Sequence, residues 1–154
     1  MRKILFPLII LAAMGLFLSS IVHLAALIGF VPFGKYSWGL HVGAIIIWFP
    51  AVLAMMANLK GQFFKLDWKE AFILNPFKHR FFKGCPKWMI ILMSCLFIYG
   101  ILNFAIFMGI EKRTGLESTD TAQMLRGFSG HWMIFYSAAL SILYSSMWQI
   151  ANNE

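Results

Sequence analysis

The sequence predicts an all-α membrane protein: a four-helix transmembrane bundle, both termini cytoplasmic, with an amphipathic interfacial loop in the middle. Three observations lead there. Only 12% of the 154 residues are charged and 60% are hydrophobic, against about 25% charged in a soluble domain. Four stretches reach the ~20 apolar residues needed to cross hydrocarbon. Basic residues gather on alternate connections. The first observation excludes a water-soluble globule, and the long apolar runs exclude disorder.

The four spans fall at about 4–30, 36–58, 88–110 and 129–150, with no Lys, Arg, Asp or Glu between the ends of any. Helix is the required conformation, because an open strand leaves its backbone unsatisfied in lipid. Arg2 and Lys3 precede the first run as in a signal peptide. That run outlasts a signal h-region of about 7–15 residues and lacks a convincing cleavage site, so it is read as a retained span.

Charge sets the orientation. Arg2 and Lys3 lie at the N-terminus, and Lys60, Lys65, Lys69, Lys78, Arg80, Lys83 and Lys87 face only Asp67 and Glu70 in the central loop, about 59–87. The first connection carries Lys35, and the outer loop, about 111–128, balances Lys112, Arg113 and Arg126 against Glu111, Glu117 and Asp120. Positive residues stay inside, which implies N-in and C-in topology in a bacterial inner membrane. Aromatics from Phe63 to Phe82 alternate with the central lysines. This segment is expected to lie on the inner headgroup layer, rings sunk and ammonium groups on anionic lipid. No nucleic-acid partner is expected, because the aromatics fit an interface better than a base stack. Gly84 and Pro86 turn the chain into the third span.

Cys85 and Cys95 read as packing residues, since no C-x-x-C is present and the cytoplasmic side is reducing. The histidine clusters of membrane di-iron enzymes are absent, as is any carboxylate within a span for coupled transport.

One constellation invites a functional reading. His23, His41 and His131 each lie within or at the edge of a span, and all three fall roughly 3–10 Å from the outer boundary. Asn103 on the third span joins the same layer. Small and polar stripes surround them: Ser19, Ser20 and Ala26 around His23; Ser37 and Ala44 around His41; Tyr99 and Gly100 around Asn103; and Ala138, Ser141 and Ser145 below His131. Such stripes mark helix–helix contacts, so the imidazoles and the amide are expected to point into one interior. Pro50 is expected to kink the second span, its freed carbonyl met by a neighbouring serine.

Two ligation readings follow. A b-type haem takes axial imidazoles from two helices; His23 and His41 are the deeper pair. Trp38, Phe128, Trp132 and Phe135 would wall the haem, Lys35, Arg113 or Arg126 would face a propionate, and Gly39, Gly43, Gly100 and Gly130 would admit the macrocycle. A bare zinc or copper ion would instead take His23, His41 and His131 with an open fourth position. Either points to electron transfer or a small subunit of a membrane redox assembly. The alternative needs no cofactor: an accessory protein whose histidines make interhelical hydrogen bonds. Other membrane subunits or a second copy are the expected partners, since little of the chain lies outside the membrane.

A minor reading is hydrolytic. Gly127-Phe128-Ser129-Gly130 matches the G-x-S-G around the nucleophile of rhomboid-type intramembrane proteases, with His131, His23 or His41 as base. It requires an imidazole from another helix on Ser129 and backbone donors for the oxyanion. Ser129 also suits the N-cap of the fourth span. The balance leans away from an enzyme.

Val22-His23-Leu24, Leu40-His41-Val42-Gly43, Gly84-Cys85-Pro86-Lys87-Trp88-Met89 and Arg126-Gly127-Phe128-Ser129-Gly130-His131-Trp132 carry a resemblance over most of the chain. It resembles a set of small, uncharacterised four-helix bacterial inner-membrane proteins. The resemblance implies the fold and the setting, and no activity.

Overall fold

The computed structural model describes residues 2–58, 82–114 and 120–153, with side chains for 3–58, 82–109 and 120–152. Every regular element described is helical: α1 (Arg2–Leu27), a 3-10 turn (Gly34–Trp38), α2 (Gly39–Asn58), α3 (Lys87–Thr114) and α4 (Thr121–Asn153). Among the described residues, Lys3–Leu27, Gly34–Asn58 and Lys87–Gly109 are long and apolar enough to cross a membrane.

The ends of these helices follow from local chemistry. α1 closes with Phe30 N–H donating to the Ala25 carbonyl and Gly29 N–H to that of Ala26. Gly29 sits at φ 77°, so this is a glycine-terminated Schellman stop. The turn into α3 is where the sequence puts it: Cys85 N–H donates to the Phe82 carbonyl, Gly84 has φ 78°, and α3 starts after Pro86. α4 begins well before residue 129, with the Asp120 carbonyl accepting the Met124 N–H. Asp120 therefore stands at the start of the helix, and Ser129 is a mid-helix residue rather than a cap.

α4 is the hub. Tyr136, Ser137, Ala138 and Ala139 are four consecutive buried residues. At about 100° per residue they cover the full circumference of the helix. α1, α2 and α3 pack around α4 and turn Ile4, Phe17, Ile45, Phe49, Ile98 and Leu102 outward. The physical logic explains the lower hydropathy of α4: a helix enclosed by other helices does not face lipid and can carry serine. Those serines satisfy themselves. Ser141 Oγ donates to the Ser137 carbonyl at 2.9 Å and Ser146 Oγ to that of Ile142 at 2.8 Å, one turn back.

Small residues let the helices close in. A Cβ on Gly15 would lie 2.1 Å from the Tyr136 ring, and one on Gly43 would lie 2.4 Å from its hydroxyl. Tyr136 thus wedges α4 against α1 and α2 together, and its OH donates to the Leu40 carbonyl at 2.9 Å. Gly100 and Gly130 bring α3 onto α4, with the Gly130 carbonyl 3.0 Å from where a Gly100 Cβ would stand. Pro50 lies inside α2; among the described residues no serine hydroxyl reaches the Ile46 carbonyl that it frees.

Most of the central interfacial loop, about 59–87, lies outside the described residues. Phe82, expected at the headgroups, is instead 1% exposed within the core. It is carried there because the segment after it clamps α4: Ser145 Oγ donates to the Lys83 carbonyl at 2.7 Å, and Trp148 lies over Gly84.

Candidate functional site

The polar layer occupies the end of the bundle that holds the first turns of α4. His23, from α1, is 3% exposed and uses both ring nitrogens. Nδ1 is 2.8 Å from Ser129 Oγ on α4, and Nε2 is hydrogen-bonded to the Tyr99 hydroxyl on α3. A neutral imidazole has one donor and one acceptor nitrogen, and either tautomer satisfies two hydroxyl partners. One side chain therefore ties three helices.

His41 opens α2. The indole of Trp132, which only donates, gives its Nε1–H to His41 Nδ1 at 2.9 Å. Nδ1 must be the bare nitrogen, which places the proton of the neutral ring on Nε2. A ligating histidine has the opposite habit: it donates from the nitrogen that does not bind the metal. Trp132 is fully buried. Around this pair Trp38 meets Phe128 at 5.4 Å and Trp132 at 5.8 Å, and His41 meets Phe128 at 6.3 Å, centroid to centroid. These are spacings of rings in contact, so the residues expected to wall a macrocycle pack on one another. Phe135 packs instead on Trp48 at 5.3 Å.

His131 goes elsewhere. Its ring stands edge-on to Phe104 of α3 at 4.3 Å, and its Nδ1 is buried without a hydrogen-bond partner. Ser129, which meets His23, and His131 are two residues apart on α4, so they diverge by about 200° around the helix. The three imidazoles share a level and point inward, as the stripes predict, yet sit at different helix interfaces. Among the described residues no group of three or more His, Cys, Asp or Glu is placed to hold a metal ion.

Asn103 is buried, and its Nδ2 donates to the carbonyls of Arg126 at 2.8 Å and Gly127 at 3.3 Å. The amide thus binds spare carbonyl lone pairs of α4, a common way for a polar residue to join membrane helices. Of the glycines expected to admit a macrocycle, Gly43 is filled by Tyr136, Gly100 by Ile134, and Gly130 by Asn103, while Gly39 has open space beside it. No family model, curated protein or solved structure matches the chain.

The Gly127-Phe128-Ser129-Gly130 run gains a physical reading. Gly127 and Gly130 share the α3 face, under Phe107 and Asn103, while Ser129 turns to His23 on α1. The serine–imidazole hydrogen bond that hydrolysis requires is present. Ser129 is fully buried, however, and inside a helix its neighbouring N–H groups are committed to the i−4 carbonyls, leaving no free pair of oxyanion donors.

Two participants escaped the sequence reading. Tyr99 was visible only as part of the Asn103 stripe, and Tyr136 not at all. The available signal was an aromatic ring with a polar tip in mid-span, but its partners, Gly15 and Gly43, become apparent only once the helices are paired.

Proposed function

We propose that this chain is a four-span integral membrane protein of the bacterial inner membrane, both termini cytoplasmic, serving as a structural or accessory subunit. His23, His41 and Asn103 join its helices through hydrogen bonds. The basic N-terminus and central loop support the orientation, and the enclosure of α4 by three apolar helices supports its position as the fourth span. The observation that carries the functional reading is the Trp132–His41 bond, which occupies one nitrogen of His41 and protonates the other. His23 is bonded at both nitrogens, so ligation there would require breaking an interhelical bond.

The experiment is a visible spectrum of detergent-purified protein, oxidised and reduced, with elemental analysis after expression with haem precursor and metals supplied. A colourless, metal-free bundle is expected. Sharp α and Soret bands with stoichiometric iron, lost in His23→Ala or His41→Ala, would replace this reading with a haem protein. Stoichiometric zinc or copper lost in the same variants would replace it with a metal site.

Ligation keeps one supporting observation, the unpartnered Nδ1 of His131. A single free imidazole supplies one axial position to a haem or one of four ligands to zinc.

A further inference from the structure

A small cleft opens between α3 and α4, lined by Asn103, Ile106, Phe107, Gln123, Arg126 and Gly127. Its volume of about 60 Å³ exceeds the ~10–15 Å³ that holds a single water. It is far below the ~300–1,000 Å³ of a pocket enclosing a drug-sized ligand. An occupant therefore inserts a small polar head and leaves the rest of itself outside.

Two polar side chains on its wall, Arg126 and Gln123, make no side-chain bond among the described residues. Arg126 is the sole charged residue of α4. Its carbonyl is used by Asn103 Nδ2 and Ser129 Oγ, but its side chain is exposed and forms no ion pair among the described residues. Gln123, half-buried, makes no side-chain hydrogen bond among them either. Both bonds of Asn103 leave through Nδ2, so among the described residues Oδ1 is an unused acceptor. The rim is apolar at Ile106, 57% exposed, and one and two turns deeper on the same face of α3 Leu102 and Ile98 are 59% and 62% exposed. A guanidinium, an amide and an acceptor above an exposed aliphatic surface complement an amphiphile whose head is an anion bearing a hydroxyl or ammonium.

We propose that this cleft seats the phosphodiester of a membrane phospholipid, with Arg126 and Gln123 on the phosphate oxygens and the acyl chains running past Ile106 down Leu102 and Ile98. The leaflet, the outer one, rests on the orientation proposed above; the chemistry of the head does not. Guanidinium suits the task because its fork of donors matches phosphate oxygens.

The test is native mass spectrometry of the full chain released from detergent after titration with phosphatidylglycerol, with sn-glycerol 3-phosphate and inorganic phosphate as chainless probes. One tightly held phospholipid per chain is expected. Arg126→Gln should weaken it about tenfold, the loss of one charge-assisted hydrogen bond, while Arg126→Lys should retain much of the affinity. Because Asn103 and Ser129 use only the backbone of Arg126, the melting temperature should stay at the wild-type value. Gln123→Leu should weaken binding more modestly and serves if Arg126→Gln does not fold. Unchanged retention in Arg126→Gln, or in Gln123→Leu where that variant must serve, overturns the proposal. Binding of the chainless phosphates as tightly as the lipid also overturns it. No histidine lines the cleft, so its failure and that of the accessory reading are read from separate variants.

Discussion

The indole N–H of Trp132 on α4 donates to Nδ1 of His41 on α2 at 2.9 Å. This one bond sets the tautomer of a histidine that depth and facing alone would offer as a ligand. It also gives the pair a testable energetic signature.

Trp132→Phe and His41→Ala should each lose an interhelical hydrogen bond worth about 1–2 kcal/mol, with Trp132→Phe the costlier because shrinking a fully buried indole also leaves a cavity. The double variant should cost less than the sum, since both remove the same bond. Denaturation of the four proteins in one detergent provides the cycle. Strict additivity would show that the bond contributes nothing.

Tyr136 predicts an asymmetric rescue. Gly43→Ala meets only the hydroxyl tip, with the ring carbon behind it 3.7 Å away, whereas Gly15→Ala strikes ring carbons at 2.1 and 2.4 Å. Both should destabilise, Gly15→Ala by about 1–3 kcal/mol from overpacking. In a Tyr136→Phe background Gly43→Ala should become nearly neutral while Gly15→Ala stays costly. Equal rescue of both, measured by thermal melting, would mean that Tyr136 is seated differently.

Gly84 combines a left-handed φ of 78° with a ring atom of Trp148 2.0 Å from where a Cβ would stand. Gly84→Ala should cost at least about 1–3 kcal/mol. Trp148→Ala should relieve the clash but not the backbone strain, so the double variant should still melt below Trp148→Ala alone.

Burial pushes the Cys85 thiol up to about 11 from 9.0, with a hydrogen bond to Ser141 drawing it partway back. Its thiolate fraction at pH 8 is then about 100-fold below that of an ordinary thiol, and alkylation by iodoacetamide should slow accordingly. The folded chain keeps this proton where the unfolded chain loses it. The stability from this group is therefore full below pH 9 and declines as pH rises toward about 11. Fast alkylation at pH 8 would place Cys85 in water.

Much of this was legible in the residues. Apolar runs located α1, α2 and α3; Gly84 and Pro86 marked the turn into α3; the serine stripe on α1 turned His23 inward. The fourth helix is where the reading fell short. A layer of histidines at one depth suggests convergence only if each helix has a single inward face. α4 is enclosed around most of its circumference, so Ser129, His131 and Trp132 turn toward different neighbours within the bundle. Depth is written in a sequence as distance from a span end; azimuth around a central helix depends on which helices surround it. Phe82 shows the same limit: its aromatic ring fits a headgroup layer equally well, and only the contacts at Lys83 and Gly84 carry it into the core.

The central claim is that His23 and His41 are committed to protein partners, and the imidazole nitrogen-15 spectrum of His41 tests it most directly. Protein purified after growth with haem precursor and metals should show a neutral ring with bare Nδ1 and protonated Nε2. Trp132→Phe should shift the Nδ1 resonance. A ring protonated at Nδ1, with Nε2 bound to a metal, would contradict the account.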